Sequence, residues 1–243
     1  QKQNQTWNTM AHVEKYYRPL KAFGAPVDFI TEDKDFSAYP VMIAPAYQLV
    51  DDALIARWTE YVKNGGNLIL TCRTGHKDRS GRLFEAPFRS KIDNLAGNKM
   101  DFYDLLLPQD PGTVAMDGNS YPWNTWGEML VPDKGTEVWA NYTGEFYEGK
   151  PAVTMRHLGK GTVTYVGVDS KDGSLEKDVL TKLYAELNIP VMNLPYGVTM
   201  EYRNGLGIVL NYSDKPYEFQ LPKGSKVLIG ETIIPTAGVL VFK

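Results

Sequence analysis

The chain has 243 residues, of which 43% are hydrophobic and 23% charged, and its formal net charge is −3. This length fits one large domain or two smaller ones, and the composition is that of a globular protein rather than a disordered one. There is no basic stripe to indicate a nucleic-acid partner and no apolar run near the ~18 residues of a membrane span. The single cysteine excludes an internal disulfide and a cysteine-rich metal site.

The chain opens with Gln1–Gln5 rather than with methionine, and no basic-then-apolar leader is present. We expect a fragment of a longer protein; the alternative is a mature chain after removal of a signal segment. The composition indicates a soluble protein and leaves its compartment open between cytoplasm and periplasm.

The first predicted element is a helix over residues 6–23, followed by Gly24 as its C-cap. A short strand is predicted over 26–30 and a polar loop over 33–39. The helical stripe consists of Trp7, Met10, Val13, Tyr17 and Leu20.

A strand–helix–strand unit is predicted next. Residues 41–45 form a continuous apolar run, as in a strand buried on both faces. Asp51 or Asp52 caps the following helix, 64–66 ends it, and 67–71 is a second buried strand. The helix carries one apolar face, made by Leu54, Ile55, Trp58, Tyr61 and Val62. Short links between such elements predict a parallel, right-handed βαβ unit.

Residues 73–98 are predicted to be a long surface excursion with a short helix near 92–95. The stretch 100–168 is predicted to be rich in strands, with a hairpin turn at 159–161. Its clearest strands are 136–142, 152–157 and 162–168.

Ser174 is predicted to cap a helix that ends before Pro190. After Pro195 the sequence changes to short strands and turns without a helical pattern. The predicted strands are 198–203, 206–212, 217–220, 226–228 and 239–242. These 50 or so residues predict a small antiparallel β unit, near the lower size limit for independent stability.

Several stretches in the same order resemble family 42 β-galactosidases of the glycoside hydrolases. His12–Leu20 resembles the first helix of the family's middle domain. The further matching stretches are Val41–Ala46, Tyr61–Thr71 with Arg73–Gly75, Trp126–Leu130, Gly159–Gly161 with Tyr165–Gly167, and Leu210–Ser213. Each stretch alone is weak, and their shared order along nearly the whole chain makes the resemblance specific.

The resemblance implies an α/β trimerisation domain over residues 1–192 and a small antiparallel β-sandwich domain over 193–243. The first domain would be flavodoxin-like, or similar to class I glutamine amidotransferases. Its implied partner is itself, in a homotrimer.

The resemblance also implies an N-terminal (β/α)₈ barrel, which takes about 250 residues on its own. Retaining glycosidases use two carboxyl groups about 5 Å apart, and in this family both are barrel glutamates. Neither maps onto this sequence, so no catalytic residue, metal or cofactor is assigned here. The expected role is non-catalytic assembly and support, while the parent protein hydrolyses terminal β-D-galactosyl residues.

Cys72 follows a buried strand, where an amidotransferase places its nucleophile, and His76 is a nearby base. A stand-alone amidotransferase-like enzyme is therefore an alternative function. The flanks Leu70–Thr71 and Arg73–Thr74 lack the glycine of a strained nucleophile turn. A buried, inert thiol is the favoured interpretation.

Two sets of residues are candidates for contacts. The charged residues of the loop over 73–98 could lie at a subunit interface or at the rim of a sugar pocket. Alternatively, they form a solvated surface. These residues are Arg73, His76, Arg79, Arg82, Glu85 and Arg89. A second set could stack on a sugar, pack in the core or contact a subunit, and it consists of Tyr121, Trp123 and Trp126. A carbohydrate-binding module is thus a further alternative.

Overall fold

The computed structural model describes residues 7–85, 89–107 and 109–243. The α-helices are α1 (Thr9–Ala22), α2 (Asp52–Lys63), α3 (Ser90–Ala96) and α4 (Ser174–Glu186). Strands in the first part of the chain are β1 (Val41–Ala44), β2 (Asn67–Thr71), β3 (Asn98–Asp104), β4 (Gly112–Met116), β5 (Asn119–Pro132), β6 (Glu137–Thr143), β7 (Pro151–Leu158), β8 (Gly161–Val166) and β9 (Val168–Ser170). The remaining strands are β10 (Val198–Arg203), β11 (Leu206–Asn211), β12 (Tyr217–Glu218), β13 (Val227–Ile229), β14 (Ile233–Ile234) and β15 (Val239–Phe242).

The chain divides into two compact units. One contains the described residues up to Val13 together with Ile30–Glu176, and the other contains Glu14–Phe29 with Lys177–Lys243. The first unit holds a nine-stranded mixed sheet, and the second holds a four-stranded antiparallel sheet. A mixed α/β part and a small antiparallel β part are therefore both present, while the domain boundary after residue 192 stays a prediction. None of the described helices is long and apolar enough to cross a membrane.

The nine-stranded sheet has the order β1-β2-β8-β7-β6-β4-β5-β3, with β9 paired to β5. Only β1, β2 and β8 run parallel to one another, and the other pairs are antiparallel. The predicted βαβ unit is confirmed, since β1 and β2 are parallel and joined through α2. The Asp51 side chain caps α2 by accepting the Leu54 N–H at 2.8 Å. Every residue of β2 is buried.

Strand β1 differs from its prediction in one respect. Its first three residues are only half-buried, because β1 is the edge strand and has a neighbour on one side only. Continuous apolar sequence is typical of strands covered on both faces. At the edge the same sequence leaves Val41, Met42 and Ile43 partly open.

The strand predicted over 26–30 was wrong. These residues belong to no helix or strand, no neighbouring strand among the described residues pairs with them, and Phe29 is 74% exposed. A β-strand requires a ladder of hydrogen bonds, which local propensity alone does not supply. The preceding helix does end as predicted: Gly24 has a φ of +71°, and the Ala25 N–H donates to the Leu20 carbonyl at 3.1 Å.

The second unit is built around its antiparallel sheet of order β10-β11-β15-β13. Asn204-Gly205 forms the turn between β10 and β11, with both residues at positive φ (50° and 75°), as a type I′ hairpin requires. The buried side chains that pack together are Leu194, Val198, Met200, Val209, Phe219, Ile234, Leu240 and Phe242. At the end of β11, the Asn211 amide donates to the carbonyls of Lys215 and Ile234, which fixes the following turn.

Candidate functional site

The carboxyl ends of the parallel strands meet at one edge of the nine-stranded sheet. Open α/β sheets bind ligands in the crevice outside this edge. In this chain Pro45–Tyr47 follows β1, Cys72–His76 follows β2, and Gly167 begins the segment after β8. A ligand-binding site of this chain is therefore expected at this edge of the sheet.

A buried carboxylate organises this edge. Strand β5 brings Glu128 into the interior, where it is 0% exposed. Its Oε1 accepts the backbone N–H of Arg73 at 2.7 Å and the Nε1–H of Trp126 at 3.0 Å. The Tyr165 hydroxyl donates to Oε2 at 2.6 Å, and His76 Nε2 lies 3.3 Å from Oε1. We call these five residues the Glu128 cluster.

The neighbours of Glu128 favour its ionised form. Burial raises the pKa of this carboxyl, but the hydrogen bond and charge of His76, the charge of Arg89 and the hydrogen bond from Tyr165 outweigh burial and lower the pKa to about 2. Glu128 is thus ionised at neutral pH. An acid or base in catalysis needs a pKa nearer the working pH, so this carboxylate acts as a structural anchor.

Arg89 lies beside the cluster, in the interior. It is 1% exposed, its Cζ is 4.3 Å from the centre of the Tyr165 ring, and its Nη2 donates to the Asn98 carbonyl at 3.1 Å. Asp93 Oδ1 lies 3.7 Å from the same nitrogen. A side chain this buried supports Glu128 from within, so the packing does not support its predicted place at an interface or pocket rim.

Arg73 is half-buried at the outer side of the Glu128 cluster. Its guanidinium carbon lies 4.5 Å from the centre of the Trp7 ring and 4.7 Å from that of Trp126, so that each indole makes a cation–π contact with it. Trp126 in turn stacks on Tyr103, with ring centres 4.4 Å apart and planes 10° apart. The backbone φ of Arg73 is +67°, an unusual value for a residue other than glycine, and the bond to Glu128 fixes the turn there.

A second buried network lies at the same edge. His12 Nδ1 is 2.8 Å from Asp169 Oδ1, and its Nε2 is 2.9 Å from Thr71 Oγ1. The order hydroxyl–imidazole–carboxylate is that of a catalytic triad. However, Thr71 is 0% exposed and its oxygen also accepts the Ala46 N–H at 2.7 Å. The network therefore ties the ends of β1, β2 and β9 together and offers no accessible nucleophile.

Cys72 does not have the surroundings of a nucleophile. It is 0% exposed, and burial, followed by the negative charge of Glu128, raises the pKa of its thiol well above the ordinary value. A thiolate, the reactive form, is disfavoured in such a site. The structure thus supports the inert interpretation over the amidotransferase alternative. Within the described ranges, no group of three or more His, Cys, Asp or Glu residues could hold a metal ion.

The other charged-loop candidates lie on the surface. Arg79 donates to Glu32 at 2.7 and 2.8 Å and to Asp51 at 2.7 Å, which leaves this arginine neutralised within its own chain. Arg82, whose side chain is 86% exposed, lies 3.6 Å from Asp78, and Glu85 is exposed. The predicted set is therefore split: Arg73 and His76 belong to the Glu128 cluster, Arg89 supports it, and the other three are outside.

The three candidate sugar-stacking rings are buried in this chain, with exposures of 3% for Tyr121, 0% for Trp123 and 8% for Trp126. The Trp123 ring centre lies 5.5 Å from that of Tyr142, and Trp126 contacts both Arg73 and Tyr103. Stacking on a sugar requires an open ring face. Sugar contact stays a prediction, and core packing is the reading that these positions support.

Glu128, Tyr165, His12, Asp169 and Trp7 were not singled out by their chemistry in the sequence. One signal was available for Glu128, an ionisable residue directly before the apolar run Met129–Val131. Acidic residues are rarely buried unless they are paired. The partners of Glu128 lie as far as 55 residues away, and no local pattern identifies them.

The sequence matches the β-galactosidase trimerisation domain family over residues 1–195 and the β-galactosidase C-terminal domain family over 197–243. The β-galactosidase BgaH of Haloferax lucentense is 30% identical over 229 residues, which are 94% of this chain and 34% of that protein. BglY of Alicyclobacillus acidocaldarius is 31% identical over 94% of this chain and 35% of its own length. The chain thus spans about a third of the length of the curated relatives that it matches.

Solved structures agree. The β-galactosidase from Rahnella sp. R3 has a TM-score of 0.87 and 26% identity, covering 98% of this chain and 37% of that one. The β-galactosidase from Halorubrum lacusprofundi has a TM-score of 0.84 and 28% identity, covering 96% and 35%. Because the two domain families together match nearly all residues, the chain belongs to the family 42 β-galactosidases and corresponds to their trimerisation and C-terminal domains.

Proposed function

We propose that this chain is the non-catalytic assembly and support region of a β-galactosidase. Hydrolysis of terminal β-D-galactosyl residues would be performed by an N-terminal (β/α)₈ barrel, through a retaining mechanism with two glutamates. The observation that carries the proposal is the match to the trimerisation and C-terminal domain families over a third of the relatives' length.

The chemistry of the chain agrees with a supporting role. Its most distinctive ionisable groups, Glu128 and the His12–Asp169 pair, are buried and engaged with backbone or side-chain partners. We further propose that residues 1–192 have a flavodoxin-like or amidotransferase-like arrangement and that 193–243 form the separate β domain. The parallel order β1-β2-β8 supports this arrangement.

The proposed partner is a homotrimer of this chain, with the loop after β2 at the subunit interface or beside a neighbour's sugar pocket. The predicted contact residues that keep exposed or half-buried side chains are Arg73, Arg79, Arg82 and Glu85. Arg79 already forms ion pairs with Glu32 and Asp51 of its own chain, so at an interface it would contribute packing rather than a free charge.

Light scattering over a concentration range tests the proposal. A species of three times the 27.3 kDa chain mass is expected, together with no release of nitrophenol from a nitrophenyl β-galactoside. A chain that stays monomeric at every concentration would contradict the assembly role. Galactoside hydrolysis by the purified chain would contradict the non-catalytic role.

A further inference from the structure

Arg73 differs from the other buried or half-buried arginines in how its donors are used. The half-buried Arg57 and Arg156 donate to backbone carbonyls, and the buried Arg89 donates to the Asn98 carbonyl. The exposed Arg79 donates to two carboxylates. The Arg73 guanidinium, in contrast, donates no hydrogen bond to any residue within 7–85, 89–107 or 109–243. Its five N–H groups are therefore available to an acceptor outside these residues.

The guanidinium is also held in place. The centres of the Trp7 and Trp126 rings lie 4.5 and 4.7 Å from its guanidinium carbon, and the Tyr103 ring stacks on Trp126. Below it, Glu128 fixes both the Arg73 backbone N–H and the Trp126 indole N–H. A planar cation stacked on aromatic rings presents its donors around its edge, so the acceptor must approach in the plane of the guanidinium.

Within the described part of the chain, no carboxylate forms an ion pair with the Arg73 guanidinium, although the charge of Glu128 acts on it. Burial lowers its pKa, which means that the cation is less well solvated than in water. The Glu128 carboxylate already accepts hydrogen bonds from the Arg73 backbone, Trp126 and Tyr165. A bound anion would replace part of the solvation that the guanidinium loses on burial. Because the aromatic contacts already hold the guanidinium, little further side-chain entropy would be lost on binding.

We propose that the edge of the Arg73 guanidinium binds a carboxylate of a second copy of this chain, as a fixed polar contact of the subunit interface. The inference rests on the proposed trimeric assembly and names one contact in it. A carboxylate matches the planar fork of the guanidinium in a bidentate pair. A second copy supplies many such groups, since the chain has 29 Asp and Glu against 26 Lys and Arg.

Three variants test the contact by sedimentation velocity over a concentration range. Arg73→Gln removes the charge, and the association constant is expected to fall roughly 30-fold or more, as when one partner of an interfacial charge pair is truncated. Arg73→Lys keeps the charge but loses the planar fork, so a smaller loss is expected. Arg203→Gln, at an exposed arginine on β10, is the matched control and is expected to leave association unchanged. Near-UV circular dichroism and urea unfolding of the dilute proteins check that each variant is folded.

The Arg73→Lys variant also identifies the acceptor. Carbodiimide joins a lysine amine to a carboxylate only when the two are in contact. An equal mixture of ¹⁴N- and ¹⁵N-labelled Arg73→Lys protein should then yield cross-linked peptides that join Lys at position 73 to an Asp or Glu of the other isotope. Links found only within one isotope, or none at position 73, would overturn the inference.

The outcomes separate this inference from the proposed function. A wild-type chain that stays monomeric overturns both. A wild-type trimer whose association is unchanged in Arg73→Gln overturns only the Arg73 contact and leaves the assembly role in place.

Discussion

The Glu128 carboxylate accepts the backbone N–H of Arg73 at 2.7 Å, although the two residues are 55 positions apart in the sequence. This bond joins the long strand β5 to the turn after β2. The position of the Arg73 side chain, and through it the proposed interface contact, therefore depends on a buried charge that is itself far from the surface.

Glu128→Gln tests this dependence. The amide keeps the shape but removes the charge that balances the buried Arg89, so the free energy of unfolding is expected to fall by about 3 kcal/mol. Urea unfolding at neutral pH measures the change. The matched control is Glu137→Gln at an exposed position of β6, where a change within about 0.5 kcal/mol is expected. Equal stabilities of the two variants would show that Glu128 is not an anchor.

The pH dependence of stability follows from the same residue. The folded-state pKa of Glu128 is lowered to about 2 from an ordinary 4.5, so the unfolded chain binds more protons between these values. Its contribution is present in full above the unfolded pKa and is lost as pH falls from about 5 towards 2. Urea unfolding from pH 7 to 2 should show a steeper loss for the wild type than for Glu128→Gln. Parallel curves would contradict this assignment.

His12→Ala should destabilise the chain by about 2 kcal/mol, since it leaves Asp169 and Thr71 without the imidazole that both contact. His157→Ala is the control, because His157 is exposed on β7. Thermal unfolding of both variants measures the difference. A His12 variant as stable as the His157 variant would mean that the buried network adds nothing.

Cys72 should react slowly with a thiol reagent in the native protein and rapidly after unfolding in urea. The thiol is fully buried and its pKa is raised, so labelling must wait for the chain to open. Absorbance of the released thiolate of Ellman's reagent follows the reaction. Labelling of the folded chain as fast as that of free cysteine would revive the nucleophile hypothesis.

The predictable parts of this fold are those set by neighbours in sequence. Asp51 capping α2, Gly24 ending α1 and the Asn204-Gly205 hairpin each follow from the chemistry of two to four adjacent residues. The strand at 26–30 failed for the opposite reason, because a strand exists only when another one pairs with it.

The candidate site was harder to predict, because it depends on contacts between distant segments. Arg73, Arg79 and Arg82 look alike in one charged stretch, yet the first contacts two indole rings, the second is paired with carboxylates and the third is exposed. Only the partners from β5 and from the start of the chain distinguish them. The order of the motifs identified the family, and the sequence identified the charged stretch after β2. Tertiary packing determined which arginine of this stretch keeps its hydrogen-bond donors available.

The position of β1 at the edge of the sheet has a consequence for aggregation. Pro40 and Pro45 bracket this open strand, and proline cannot extend a hydrogen-bonded ladder, so only four residues are available for a foreign strand. At the opposite edge, β3 carries Lys99, Asp101 and Asp104 among its residues, and such charges discourage strand addition. Both edge strands of the sheet therefore disfavour the addition of a strand from another molecule. Association of two copies would then use side-chain contacts rather than backbone pairing between sheets.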